Sequence, residues 1–245
     1  MSSFWINLKS LFITHFYLIL DKMGFSKNNA LIFMFHHVTN GLTEASLDCK
    51  CSVEHFTKVL EYLNNNNIKV VSMNEALVNI NENVLHGFAV ITFDDGIDDT
   101  FEIAYPLLKI YNFPFSVYLT LNYLNTKGYL TSEQLEILNK DPLCTIGAHS
   151  LTHPVLSTAL DSKMEIIQSK QRLENLLKKE VLHFAYPYGG PSTVSIKNIF
   201  DTKDARYRSA VSSVGARLNY FSTITKFYLP RVNGSLFLSY NKALH

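Results

Sequence analysis

Three cysteines, one tryptophan and a net charge of only +1 in 245 residues remove several classes of protein at once. Cys49, Cys51 and Cys144 do not make an even disulfide framework, which favours a reducing compartment over an oxidising one. Cys49 and Cys51 are also too close together for an ordinary bridge or a zinc knuckle. With 22 Lys and Arg against 21 Asp and Glu, the chain offers no electrostatic case for binding nucleic acid. Long apolar runs are missing too. A membrane-spanning helix needs roughly 20 predominantly apolar residues, and the run over residues 11–20 is half that.

What the N-terminal stretch does contain is a helical period. Phe4, Leu8, Leu11, Phe12, Phe16, Leu20 and Met23 fall on one side, and Asn7, Ser10, Thr14 and Asp21 on the other. Residues 1–25 are read as an amphipathic helix. Lys9 and His15 interrupt it and no small-residue cleavage site follows Leu20, so a signal peptide is not expected. Two readings stay open, a helix packed on the domain and one lying on a membrane surface. The expected location is the cytoplasm, with peripheral contact at the inner membrane as the alternative.

From residue 30 onwards, strand-like and helix-like segments alternate. Residues 30–35, 69–71, 89–93, 115–119, 144–147, 181–186, 209–212 and 227–229 are short apolar runs rich in β-branched and aromatic residues. Between them lie helical patterns with start signals: Ser52 before residues 53–63, Ser72 with Glu75, Thr131 with Gln134, and Ser162 with Glu165 before residues 162–179. Residues 100–111 show helical spacing as well. About seven strands separated by helices imply a parallel sheet, and enough such units close into a (β/α) barrel. The length suits one domain, residues 30–245.

The chemistry-bearing residues gather at predicted strand ends. Residues 89–93 stop at Asp94-Asp95-Gly96. Two adjacent carboxylates there repel and splay, leaving one for a cation and one to take a proton. On its own, Asp-Asp-Gly also suits an ordinary turn capping a helix that starts at Asp98 and Asp99. Residues 30–35 end at His36-His37, and residues 144–147 lead into His149-Ser150-Leu151-Thr152-His153-Pro154. Histidines four apart share a face if the turn is helical. With a carboxylate from another strand end they make a three-ligand set with open positions, the pattern of a catalytic site. Zinc or a first-row neighbour suits imidazole plus carboxylate.

Three motifs in order carry a resemblance: Thr92-Phe93-Asp94-Asp95-Gly96, His149-Ser150-Leu151-Thr152-His153-Pro154, and Phe184-Ala185-Tyr186-Pro187-Tyr188-Gly189. Over roughly residues 30–234 the chain resembles the polysaccharide deacetylase family (NodB homology, carbohydrate esterase family four). Phe35-His36-His37-Val38 and Leu229-Pro230-Arg231-Val232 resemble the branch acting on exported or lipid-linked glycans. The resemblance implies that Asp94 is the general base and that Asp95, His149 and His153 hold a divalent metal, zinc, with cobalt, nickel or manganese as alternatives. It also implies that Tyr188 offers a backbone N–H to the oxyanion. The substrate implied is an N-acetylated glycan or lipid-linked glycan precursor. A deformylase or peptidoglycan deacetylase of the same fold, or an inactive glycan-binding protein, are the other readings.

Two departures stand out. The family's arginine in the third motif is replaced by Ala185, and Arg231 is the candidate substitute. The late Leu-x-His that supplies the general acid is not evident, since Leu244-His245 lacks its context. His36 or His37 is the candidate acid, and each could instead be structural. Tyr123 and Tyr129 are placed in a loop where they could stack on a sugar or simply pack.

Overall fold

The computed structural model describes residues 30–40 and 50–238. The expected helix over residues 1–25, Cys49 and Leu244-His245 lie outside them. In chain order the elements are β1 (Leu31–Phe35), β2 (His37–Thr39), β3 (Lys50–Ser52), α1 (Val53–Asn65), β4 (Lys69–Val70), α2 (Met73–Asn81), β5 (Phe88–Phe93), α3 (Tyr105–Tyr111) and β6 (Phe115–Leu119). They continue with α4 (Ser132–Lys140), β7 (Cys144–Ala148), α5 (Ser162–Leu177), β8 (His183–Ala185), α6 (Ile196–Asp204), β9 (Ser209–Val211), α7 (Tyr220–Ile224) and β10 (Val232–Asn233).

Three of the four expected helix starts are capped as their chemistry predicts, while the fourth, Ser162 with Glu165, is not a capping box: α5 starts after Asp161 with no side-chain capping bond. Ser72 and Glu75 form a capping box on α2, Thr131 and Gln134 form one on α4, and the Ser52 hydroxyl accepts from the His55 amide to start α1. The helical spacing over residues 100–111 is real, but its first part, Thr100–Ala104, is a π-helical turn that runs into α3. α6 has no apolar period pointing inward. It buries Asn198, Asp201 and Thr202 and leaves Ile196 and Phe200 exposed, so its apolar period lies mostly on the outer side.

The main sheet runs β10-β1-β5-β6-β7-β8-β9, with β4 beside the start of β5, and its strand pairs are all parallel. Leu229 bridges Val211 of β9, and Val232 and Asn233 then pair with Phe33 and Met34 of β1. One short segment therefore touches both ends of the strand run and curls it into the distorted (β/α) barrel that the alternation predicts. The expected strand over residues 227–229 is displaced, with only Leu229 making a bridge. Pro230 has no N–H to donate and the Arg231 amide goes to Val214 at 3.0 Å, so regular pairing resumes at Val232.

β5 is buried along its whole length, as a strand covered on both faces should be. Its side chains alternate between two layers. Ile91 and Phe93 join Phe35, Phe56 and Phe115 beneath the helices, with the Phe35 and Phe56 rings 5.1 Å apart and edge-on. Val90 clusters instead with Ile32, Tyr118, Ala185 and Val211 from four other strands and with the bridge residue Leu229, and these fill the interior. Thr92 and Asp94 continue that inward side. Among the described residues, no helix is long and apolar enough to cross a membrane.

Candidate active site

At the C-terminal ends of β1, β5, β7 and β8 lies a cavity of about 310 Å³, lined by His36, His37, Asp94, Asp95, His149, His153, Tyr186, Tyr188 and Arg231 among others. A larger one of about 520 Å³ is bordered by α2 and by residues preceding β8 and β9, and its walls hold no histidine or carboxylate. Volume does not pick out the site; chemistry does.

Asp94 follows β5 directly and is 2% exposed. Its two carboxylate oxygens accept from Arg231, Nη1 to Oδ1 at 2.7 Å and Nη2 to Oδ2 at 2.6 Å. The same guanidinium donates to the Thr92 hydroxyl at 3.1 Å and, through Nε, to the Ser212 carbonyl at 2.8 Å, and it lies 5.8 Å from the centre of the Tyr118 ring. Burial by itself would raise the Asp94 carboxyl. The guanidinium of Arg231, helped by His149, outweighs burial and holds it well below the usual carboxylate range. Arg231, from the segment between β9 and β10, is thus the cation that pairs with Asp94.

Asp95 turns away from Asp94. It adopts a left-handed φ of 72°, and Gly96 follows with a φ of 79°; a Cβ on Gly96 would lie 2.3 Å from Leu119 Cδ1. This turn is a place for glycine and for a residue under strain. Asp95 Oδ1 is buried without a hydrogen-bond partner, a costly state for a carboxylate oxygen. His149 Nε2 stands 3.4 Å from it and His153 Nε2 3.3 Å. Ligand atoms bound tetrahedrally at about 2.0–2.2 Å sit roughly 3.3–3.6 Å apart, so an orphaned oxygen and two imidazole nitrogens have the spacing of a metal site.

The tautomer agrees. The Ala185 carbonyl can only accept, so His149 Nδ1, 2.8 Å away, donates to it, and the lone pair of the neutral ring is left on Nε2, facing Asp95. His153 is pushed below the ordinary histidine range, first by burial and then by His149, against the opposite pull of Asp95 and Asp94. The two histidines do not share a helix face. Residues 149–153 form an irregular loop with left-handed φ at Ser150 (66°) and His153 (60°), and that loop swings the second ring back onto the first, centroids 4.9 Å apart.

Tyr188 also has a left-handed φ, 61°, and lies on the rim at 58% exposed. Ser213 Oγ donates to its carbonyl at 2.6 Å, and among the described hydrogen bonds its own amide N–H has no acceptor. His37 Nδ1 pairs with Asp99 Oδ2 at 2.8 Å. His36 lies with Asp94 in the cavity wall, and its pKa is lowered by burial, with Asp94 and Asp95 pulling the other way. Tyr123 and Tyr129 pack on each other at 4.6 Å, and Tyr123 lies 6.3 Å from the His153 ring. Cys51 and Cys144 are free thiols; burial pushes the Cys51 thiol up to about 12.

Three contributors carry no role in the sequence reading, although Thr92 and Ala185 lie within the first and third motifs: the Thr92 hydroxyl, the Ser212 carbonyl and the Ala185 carbonyl. Thr92 was within reach of sequence reasoning, being two residues before Asp94 and so on the same side of β5. The two carbonyls had no side-chain signal at all.

Residues 81–208 match the family model described as polysaccharide deacetylase, and the chain belongs to that family. YxkH of Bacillus subtilis (strain 168), described as a candidate polysaccharide deacetylase, is 24% identical over 170 residues, 68% of this chain and 59% of the relative. The chain therefore matches less than two thirds of that relative's length. Among solved structures, the Streptococcus pyogenes deacetylase PplD in complex with acetate superposes with a TM-score of 0.75 at 19% identity, covering 86% of this chain and 96% of that one. BC0361, a polysaccharide deacetylase from Bacillus cereus, gives 0.73 at 20% identity over 86% and 68% of the two chains. IcaB from Ammonifex degensii gives 0.71 at 19% identity over 84% and 91%. At such identities these likenesses establish the fold.

Proposed function

We propose that the chain is a metal-dependent N-deacetylase that removes acetyl groups from an amino sugar of a bacterial surface polysaccharide or its lipid-linked precursor. The observation that carries this reading is the division of labour between adjacent carboxylates. Asp94 is ionised and clamped by Arg231, while Asp95 presents a bare oxygen to His149 and His153.

Asp95, His149 and His153 would hold a divalent ion, zinc or one of cobalt, nickel and manganese. Such an ion supplies an acidified water and polarises the acetamide carbonyl. The remaining work falls to the chain. Asp94, with both oxygens oriented by Arg231, takes the proton of the attacking water. The Tyr188 amide donates to the oxyanion that forms, a role worth roughly 3–4 kcal/mol in comparable sites. The leaving nitrogen needs a proton, and the His36-His37 pair is the candidate donor. His36 lines the cavity beside Asp94, and His37 does so while held by Asp99.

Acetate release from N-acetylated hexosamine oligomers, with the metal varied, tests the reading. Asp94→Asn should abolish release while the ion stays bound. Glycan binding by the wild type without acyl release under any divalent metal would show a binding protein instead.

A further inference from the structure

We infer that Glu165, in the first turn of α5, is the residue that sets His153 in place, acting through the loop of residues 150–153. The inference rests on the reading of Asp95, His149 and His153 as metal ligands.

Ser162 and Glu165 have the spacing of a capping box, and the structure spends neither on capping. The N-cap residue is Asp161, with no side-chain capping bond. The Ser162 hydroxyl accepts from Asn198 Nδ2 at 3.0 Å. Glu165 turns to the loop beside it. Its Oε2 accepts from the Leu151 amide at 2.9 Å and the Thr152 amide at 3.0 Å, and its Oε1 from the Thr152 hydroxyl at 2.8 Å. One carboxylate thus holds three donors from two consecutive residues, both lying between the two histidines. Hydrogen bonds of this kind, with an ionised acceptor, are the stronger class.

The loop needs holding. Ser150 and His153 both occupy the left-handed region, which non-glycine residues keep only when their surroundings over-determine it. The Ser150 hydroxyl, accepting from the His153 amide at 3.0 Å, closes the inner end of the loop. His149 has anchors of its own, through its amide to Leu119 at 2.9 Å and its ring to Ala185. His153 has no such ring anchor among the described hydrogen bonds. Its distance to Asp95 is set by the loop backbone and by ring packing on Tyr188 at 4.7 Å. The Leu121 and Asn122 amides hold the Ser150 and Leu151 carbonyls at 3.2 and 2.9 Å, and Glu165 is the side chain that holds the Leu151 and Thr152 amides from outside. Glu165 touches none of the ligand atoms; it is a positioning residue.

The test compares Glu165→Ala and Glu165→Gln with the wild type by chelator competition for zinc, hydrogen exchange at the Leu151 and Thr152 amides, and melting of the metal-free protein. Loss of an outer partner of a ligand typically weakens metal binding about tenfold to a hundredfold, and that loss is expected for Glu165→Ala, with faster exchange at both amides. Glu165→Gln keeps a carbonyl oxygen for the two amides and should recover most of the affinity. Metal-free melting should change by no more than a few degrees in either variant. Wild-type affinity in Glu165→Ala overturns the inference, and so do equal losses in both variants. A wild type that takes up no divalent ion overturns the metal reading and this inference together. Should Glu165→Ala fail to fold, Thr152→Val removes one of the three bonds and is expected to weaken zinc severalfold; unchanged affinity there also overturns the inference.

Discussion

Asp94 and Arg231 are both almost fully buried, at 2% and 1% exposed, and neither tolerates the loss of the other. Breaking a buried pair by deleting one partner costs about 3–5 kcal/mol, because the survivor is left charged and dry. Arg231→Ala should lose stability of that order in urea unfolding and lose turnover. Unchanged turnover with normal metal binding would remove Arg231 from the site. The pH dependence follows from the direction of the shift. The folded carboxyl titrates below its unfolded value of about 3.9, so the folded state binds fewer protons. The pair's contribution is then complete above about pH 4 and is lost as pH falls through the lower folded value. Without the guanidinium, burial, the largest influence on Asp94, acts with much less opposition. The acid limb of kcat/KM should therefore move to higher pH in Arg231→Ala, which a pH–rate profile reads directly.

At the scale of elements, the site is made where strands stop. β5 delivers two carboxylates whose side chains part because Asp95 enters a left-handed turn, and β8 delivers Tyr188 through a second such turn. Gly189, with a φ of 61°, packs so closely on the β9 exit that a Cβ there would lie 2.5 Å from the Ser213 amide nitrogen. Gly189→Ala should shift the Tyr188 amide and lower kcat by roughly tenfold or more, consistent with loss of one oxyanion donor. Zinc affinity should stay near the wild-type value, because no ligand lies on this turn, and a parallel fall in affinity would count against the assignment of Tyr188. The same scale shows why some elements could be read from sequence and others not. α1, α2 and α4 carry Ser or Thr caps and inward apolar faces, so their starts were legible. α6 also starts at a capping box, Ser195 with Asn198, and carries Ile196, Ile199 and Phe200 at helical spacing, but its buried side is polar, so periodicity marks the helix and points to the wrong face. Glu165 looked like half of a capping box because spacing alone cannot say which donors a carboxylate will meet.

At the scale of the molecule, the barrel closes through the segment from Leu229 to Asn233, and closure is what carries Arg231 across to Asp94, 137 positions away in the chain. For the amphipathic stretch over residues 1–25, attachment to a membrane surface is the proposal suited to a lipid-linked substrate. Full-length protein should float with anionic liposomes and a version lacking residues 1–25 should not; equal flotation of the two would put the contact elsewhere.

Sequence by itself determined the alternation of strands and helices, the single barrel domain, and the residues Asp94, Asp95, His149, His153 and Tyr188 as a set. The alternation follows from local rules of periodicity and capping, and the set of residues from the resemblance of three motifs to the family, neither of which needs knowledge of what lies opposite. Only the tertiary structure decided that Arg231 clamps Asp94, that the Ala185 carbonyl orients His149, and that the histidine pair converges through a loop rather than a helix. These are matters of which groups face one another across a closed sheet, where a backbone carbonyl counts as much as a side chain and separation along the chain is no guide to separation in space.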